Sequence, residues 1–110
     1  MIVGYSWFYG KEDIGGQINL TLEGKLLRGA IEDEVHQIMK NLKSILEDAG
    51  LSFSNVVKTT IFVTDMSFYG KVNDVYAIYM SDPFQAREMV CVKELPLGAR
   101  VEISMIAIKP

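Results

Sequence analysis

The chain has 110 residues, of which 49% are apolar and 23% charged, with a formal net charge of -3. That length suits one domain spanning residues 1–110, since two would leave neither with a proper core, and the composition is globular rather than disordered. The acidic balance, with Lys and Arg scattered, argues against nucleic acid as a partner; the single cysteine excludes an internal disulfide; and no apolar run approaches the ~20 residues of a membrane span.

In chain order, Ile2 to Phe8 is apolar and aromatic and reads as a strand, and the polar stretch Tyr9 to Asp13 as a turn. Ile14 to Leu22 alternates, with Ile18, Leu20 and Leu22 on one face and Gln17, Asn19 and Thr21 on the other, which predicts a half-buried strand closed by a turn at Glu23-Gly24-Lys25. From Ile31 to Ala49, apolar residues recur at steps of three and four: Ile31, Val35, Ile38, Met39, Leu42, Ile45, Leu46, Ala49. This is the stripe of an amphipathic helix. Glu32, Asp33 and Glu34 complement its dipole, and Gly50 supplies its stop. Val56 to Val63, rich in β-branched residues, is a strand. Asp65 or Ser67 can cap a second helix running to about Met80, with Ser81-Asp82-Pro83 ending it. Met89 to Val92 is a short strand, Leu95 to Gly98 a break, and Arg100 to Ile108 a last strand.

The order β, β, α, β, α, β, β predicts an α+β domain with two helices packed on one face of a mixed sheet. The other face, which carries Ile106 and Ile108 beside Arg100, Glu102 and Ser104, is left partly apolar and uncovered, a motive for self-association.

Familiar cofactor signatures are missing. There is no phosphate loop and no glycine-rich dinucleotide turn. The only histidine, His36, lacks a second ligand at metal spacing and reads as a surface or boundary helix residue, so no metal is expected. Cys91 reads as a small strand residue rather than a nucleophile. The aromatic cluster Tyr5, Trp7, Phe8, Tyr9 lacks the basic groove that base stacking needs. The N-terminus has no basic segment followed by an apolar one, which points to a cytoplasmic protein.

Six segments then fall in register. They are Gly16-Gln17-Ile18; Asn41 to Leu46; Val56 to Met66; Val72-Asn73-Asp74-Val75-Tyr76; Ala86-Arg87; and Leu95 to Ile103. Together they resemble the RidA/YjgF family, also known as the endoribonuclease L-PSP or reactive-intermediate deaminase family. The resemblance implies a chorismate-mutase-like fold and a homotrimer with clefts between subunits. It further implies cofactor-free hydrolysis of 2-imino acids to 2-oxo acids and ammonia. Other members have been described as ribonucleases, regulators or chaperones.

Residue by residue, the resemblance places Arg87 as the carboxylate-binding arginine and Glu102 as the acid that handles water. Asn73 and Gly16 fall near the cleft, with Tyr5 matched across a gap and backbone of the Cys91 region beside the ligand. The chain departs from the family at Gly15, where most relatives have serine, at Glu88 after the arginine, and at Ser104 in place of a second glutamate. The residues alone leave alternatives open: Arg87 could pair with Glu88 or a neighbouring subunit, and Glu102 with Arg100. The expected activity is an imine deaminase. The alternative is a non-catalytic trimer that binds a small carboxylate, with RNA cleavage disfavoured by the acidic charge.

Overall fold

The computed structural model describes residues 5–8, 11–80 and 86–109, with side chains from residue 14 onward. Among the described residues five strands form one mixed sheet in the order β1-β2-β5-β3-β4, with β1 at Tyr5–Phe8, β2 at Lys11–Gln17, β3 at Val56–Val63, β4 at Ala86–Cys91 and β5 at Val101–Ile108. Helix α1 spans Ile31–Asp48 and α2 spans Tyr69–Tyr79. Only β3 and β4 run parallel, joined by the α2 crossover; the other pairs are antiparallel. The α+β layout with both helices on one sheet face stands as the sequence implied.

Helix α1 forms because its stripe finds the sheet. Ile31, Val35, Ile38, Met39, Leu42, Ile45 and Leu46 all enter one core with Ile61, Val63, Val101, Ile103 and Met105. Its end is a Schellman closure: Gly50, at φ 75°, donates its N–H to the Glu47 carbonyl at 2.9 Å, and Leu51 donates to Leu46 at 2.8 Å. Asp65 caps the second helical segment, its carboxylate accepting the Ser67 N–H at 2.8 Å. The turn Met66–Phe68 is 3-10 before α2 begins. No helix among the described residues is long and apolar enough to cross a membrane.

Three sequence expectations shift. Strand β2 runs Lys11–Gln17 rather than 14–22, so the expected turn through Asp13 begins the strand instead. Its pairing with β5 slips between Ile14 and Gln17, and the chain then leaves the sheet. The carbonyls of Ile18 and Leu20 accept from the Asn41 side chain at 3.1 and 3.0 Å instead of from a strand. Ile18 and Asn19 are both buried, and Leu22 projects fully into solvent. Strand β4 begins at Ala86 rather than Met89. The expected helix end at Ser81-Asp82-Pro83, the start of the first strand and the turn at Tyr9-Gly10 lie outside the described residues.

Arg100 also departs from expectation. It does not face outward with Glu102; its guanidinium turns to α1, where Nε donates to Glu34 Oε1 at 3.2 Å and Nη2 pairs with Glu34 Oε2. A further bond reaches the Gly29 carbonyl at 2.8 Å. Glu34 is fully buried, so one of the acids in the first turn of α1 is an internal ion-pair partner rather than a solvated charge. This pair pushes the Arg100 pKa further up.

Candidate functional site

Alternation along β5 divides the sheet. Val101, Ile103, Met105 and Ala107 are buried beneath the helices, while Glu102, Ser104, Ile106 and Ile108 line the open face. Glu102 pairs across from Phe62 on β3, which pairs with Val90 on β4. Beside that row lies Ser104, Thr60 and Glu88; Thr60 Oγ1 donates to Glu88 Oε1 at 3.1 Å and Lys58 sits 3.7 Å from the same carboxylate. Glu88 is therefore occupied by β3 side chains and is not the counter-ion of Arg87.

Glu102 occupies space that only glycine leaves open. A Cβ on Gly16 would stand 2.4 Å from Glu102 Cδ and 2.8 Å from Cγ. The glycine lies within the slip in β2, so the irregular register and the missing side chain together seat the carboxylate against strand backbone. Partial burial raises the Glu102 pKa above the ordinary carboxylate range. Arg100, engaged with Glu34, does not neutralise it.

Arg87 lies elsewhere. It pairs in register with Thr59, whose side chain is fully buried on the helix face. Its guanidinium carbon stands 5.1 Å above the Tyr76 ring of α2. Thr59 and Phe62 fall on opposite faces of β3, so Arg87 and Glu102 fall on opposite faces of the sheet. A single chain does not bring them together. Among the described residues Arg87 has no carboxylate partner, and β4 is an edge strand with one side of its backbone outside the ladder.

Asn73 lies one turn before Tyr76 on α2, and its Oδ1 is buried without a hydrogen-bond partner among the described residues. Cys91 ends β4 and is exposed; strand alternation puts it on the Arg87 face. For Tyr5 only the backbone is described: it pairs with Ile14 in β1–β2. The sequence reading missed Tyr76 and Thr59. The available signal was Thr59 itself, a hydroxyl at a core-facing position of an otherwise apolar strand, which requires a partner. His36, half-buried, shares a 2.7 Å hydrogen bond with the Tyr79 hydroxyl and ties α1 to α2. Among the described residues no group of three or more His, Cys, Asp or Glu could hold a metal ion.

Comparison with known proteins adds to this geometry. Residues 13–109 match the family model for endoribonuclease L-PSP. A RutC family protein of Aquifex aeolicus is 46% identical over 99 residues, covering 87% of this chain and 78% of its own length. The 2-iminobutanoate/2-iminopropanoate deaminase of Mus musculus is 43% identical over 97 residues, covering 87% of this chain and 72% of its own. Among solved structures, RidA from an Antarctic Psychrobacter superposes with a TM-score of 0.90 at 33% identity, covering 98% of this chain and 91% of that one. The YjgF gene product of E. coli superposes with a TM-score of 0.86 at 29% identity, covering 96% and 86%.

Proposed function

Because the chain belongs to the endoribonuclease L-PSP family, the RidA/YjgF family, we propose that it is a hydrolytic deaminase that converts 2-imino acids to 2-oxo acids and ammonia in the cytoplasm. The carrying observation is Arg87, a guanidinium at a sheet edge backed by an aromatic ring and, among the described residues, without a carboxylate partner, whereas Arg100 is paired with Glu34. A planar fork of this kind takes a substrate carboxylate through two parallel hydrogen bonds.

The chemistry then needs little. Water adds to the carbon of a protonated C=N bond, and Glu102 takes a proton from that water. Glu102 passes that proton to the nitrogen, the C–N bond breaks, and ammonia leaves as the freed Glu102 carboxylate takes the hydroxyl proton and the carbonyl forms. Water is the only co-reactant. Asn73 Oδ1 supplies a buried acceptor for an N–H of the ligand.

Arg87 and Glu102 face away from one another, so a site holding both draws them from different copies. The open face, with Phe62, Val90, Ile106 and Ile108, offers the apolar surface for assembly. We infer a homotrimer with its clefts between subunits. Light scattering at micromolar concentration is expected to give about three times 12.3 kDa; a stable monomer would remove the assembly and the shared site together.

The deciding experiment measures 2-oxo acid and ammonia release from freshly generated 2-iminopropanoate and 2-iminobutanoate. Burial raises the Glu102 pKa, so the acid limb of the pH profile of kcat/KM should lie above that of an ordinary glutamate. Glu102→Gln should remove the limb and most of the turnover while preserving 2-oxo acid binding. Gly16→Ala should mimic it with little loss of stability, because the side chain it displaces is the flexible Glu102. Equal hydrolysis by wild type and Glu102→Gln would leave a carboxylate binder without catalysis.

A further inference from the structure

We propose that Tyr76 is the positioning residue for Arg87: its buried ring is the platform that fixes the guanidinium in the plane where it meets a substrate carboxylate. The proposal rests on Arg87 being the carboxylate anchor.

Three contacts close on one another. Strand register sets Arg87 beside Thr59. Helix α2 lowers Tyr76 onto both: its ring lies under the guanidinium, and its hydroxyl donates to Thr59 Oγ1 at 2.9 Å. Tyr76 is 3% exposed, so the platform cannot swing away, whereas Arg87 is exposed and on an edge strand would otherwise sample many rotamers.

The kind of contact matters. An ion pair would hold Arg87 by consuming the donors a ligand needs. An aromatic face 5.1 Å from the guanidinium carbon attracts the cation through the ring's π-cloud without supplying a carboxylate to occupy its N–H donors. The aromatic face restrains the group and leaves the fork free. Burial also keeps the Tyr76 hydroxyl protonated, so no phenolate competes as a counter-ion. Tyr76 therefore has a core side and a functional side.

The test compares Tyr76→Phe, which keeps the ring and loses the bond to Thr59, with Tyr76→Leu, which loses the ring. Each is made in wild-type and Arg87→Ala backgrounds. One readout is the NMR shift of the Arg87 Nε–H, which ring current should displace in wild type and Tyr76→Phe but not in Tyr76→Leu. The other is 2-oxobutanoate affinity together with KM and kcat. Tyr76→Leu should weaken binding and raise KM about three- to tenfold with kcat little changed. Tyr76→Phe should recover most of that loss, and the Leu penalty should vanish when Arg87 is already Ala. A folded Tyr76→Leu protein that binds like wild type, or an equal penalty in the Arg87→Ala background, overturns the proposal. Wild type that binds no 2-oxo acid overturns the reading of Arg87 and the positioning role with it.

Discussion

Arg87→Ala should lose 2-oxo acid binding and imine hydrolysis together while the protein stays folded. The side chain is exposed, and its described contact is a single aromatic face, so the fold does not depend on it. What disappears is a charge-assisted, two-pronged hold on a carboxylate, worth ~1.5–3 kcal/mol, or roughly one to two orders of magnitude in affinity. Arg87→Lys should recover only part of this, since an ammonium restores the charge but not the planar fork. Calorimetric titration with 2-oxobutanoate and product release from fresh imines, read beside a thermal melt, check all three proteins. Normal activity in a folded Arg87→Ala variant would refute the site.

The second large effect is on stability alone. Arg100→Ala strands the fully buried Glu34 without its partner, and removing one member of a buried pair costs about 3–5 kcal/mol. The same guanidinium holds the Gly29 carbonyl and lies 5.5 Å over the Phe68 ring, so the loop before α1 and the turn before α2 should loosen as well. Replacing both members, Glu34→Leu with Arg100→Met, should recover much of the loss, because an apolar pair leaves no unpaired charge inside. Denaturant midpoints at one fixed protein concentration compare the variants. A drop below 1 kcal/mol in Arg100→Ala would show that the pair contributes little.

These two arginines also mark where the sequence was legible and where it was not. Elements whose residues bury one clean stripe were readable: α1 from its steps of three and four, β3 from its β-branched run, and the cap at Asp65 from local chemistry. Strand β2 misled because Ile18, Leu20 and Leu22 alternate like a strand, while the groups that take their carbonyls come from Asn41 on the helix. Nothing local distinguishes a carbonyl bound by a side chain from one bound by a neighbouring strand. Arg100 misled for the same reason, since its partner lies far back in the chain on α1. Arg87 and Glu102 were found as residues through the family register. Their separation onto two faces was not visible, because Ala86 to Cys91 is mostly exposed on both sides and carries no alternation to orient it.

The strand order has a consequence for how the molecule is made. Strand β5, the last of the five to be synthesised, lies between β2 and β3 and pairs with both. Until it emerges, β2 and β3 have no shared neighbour, and the apolar stripe of α1 has only part of the surface it covers in the finished domain. Local contacts can form the helices and the parallel β3–β4 unit first; the sheet itself cannot close until β5 has been made. Once β3 has been made, the nascent chain carries open edges on β2 and β3, and the stretch from Val101 to Ile108 converts them into a continuous ladder.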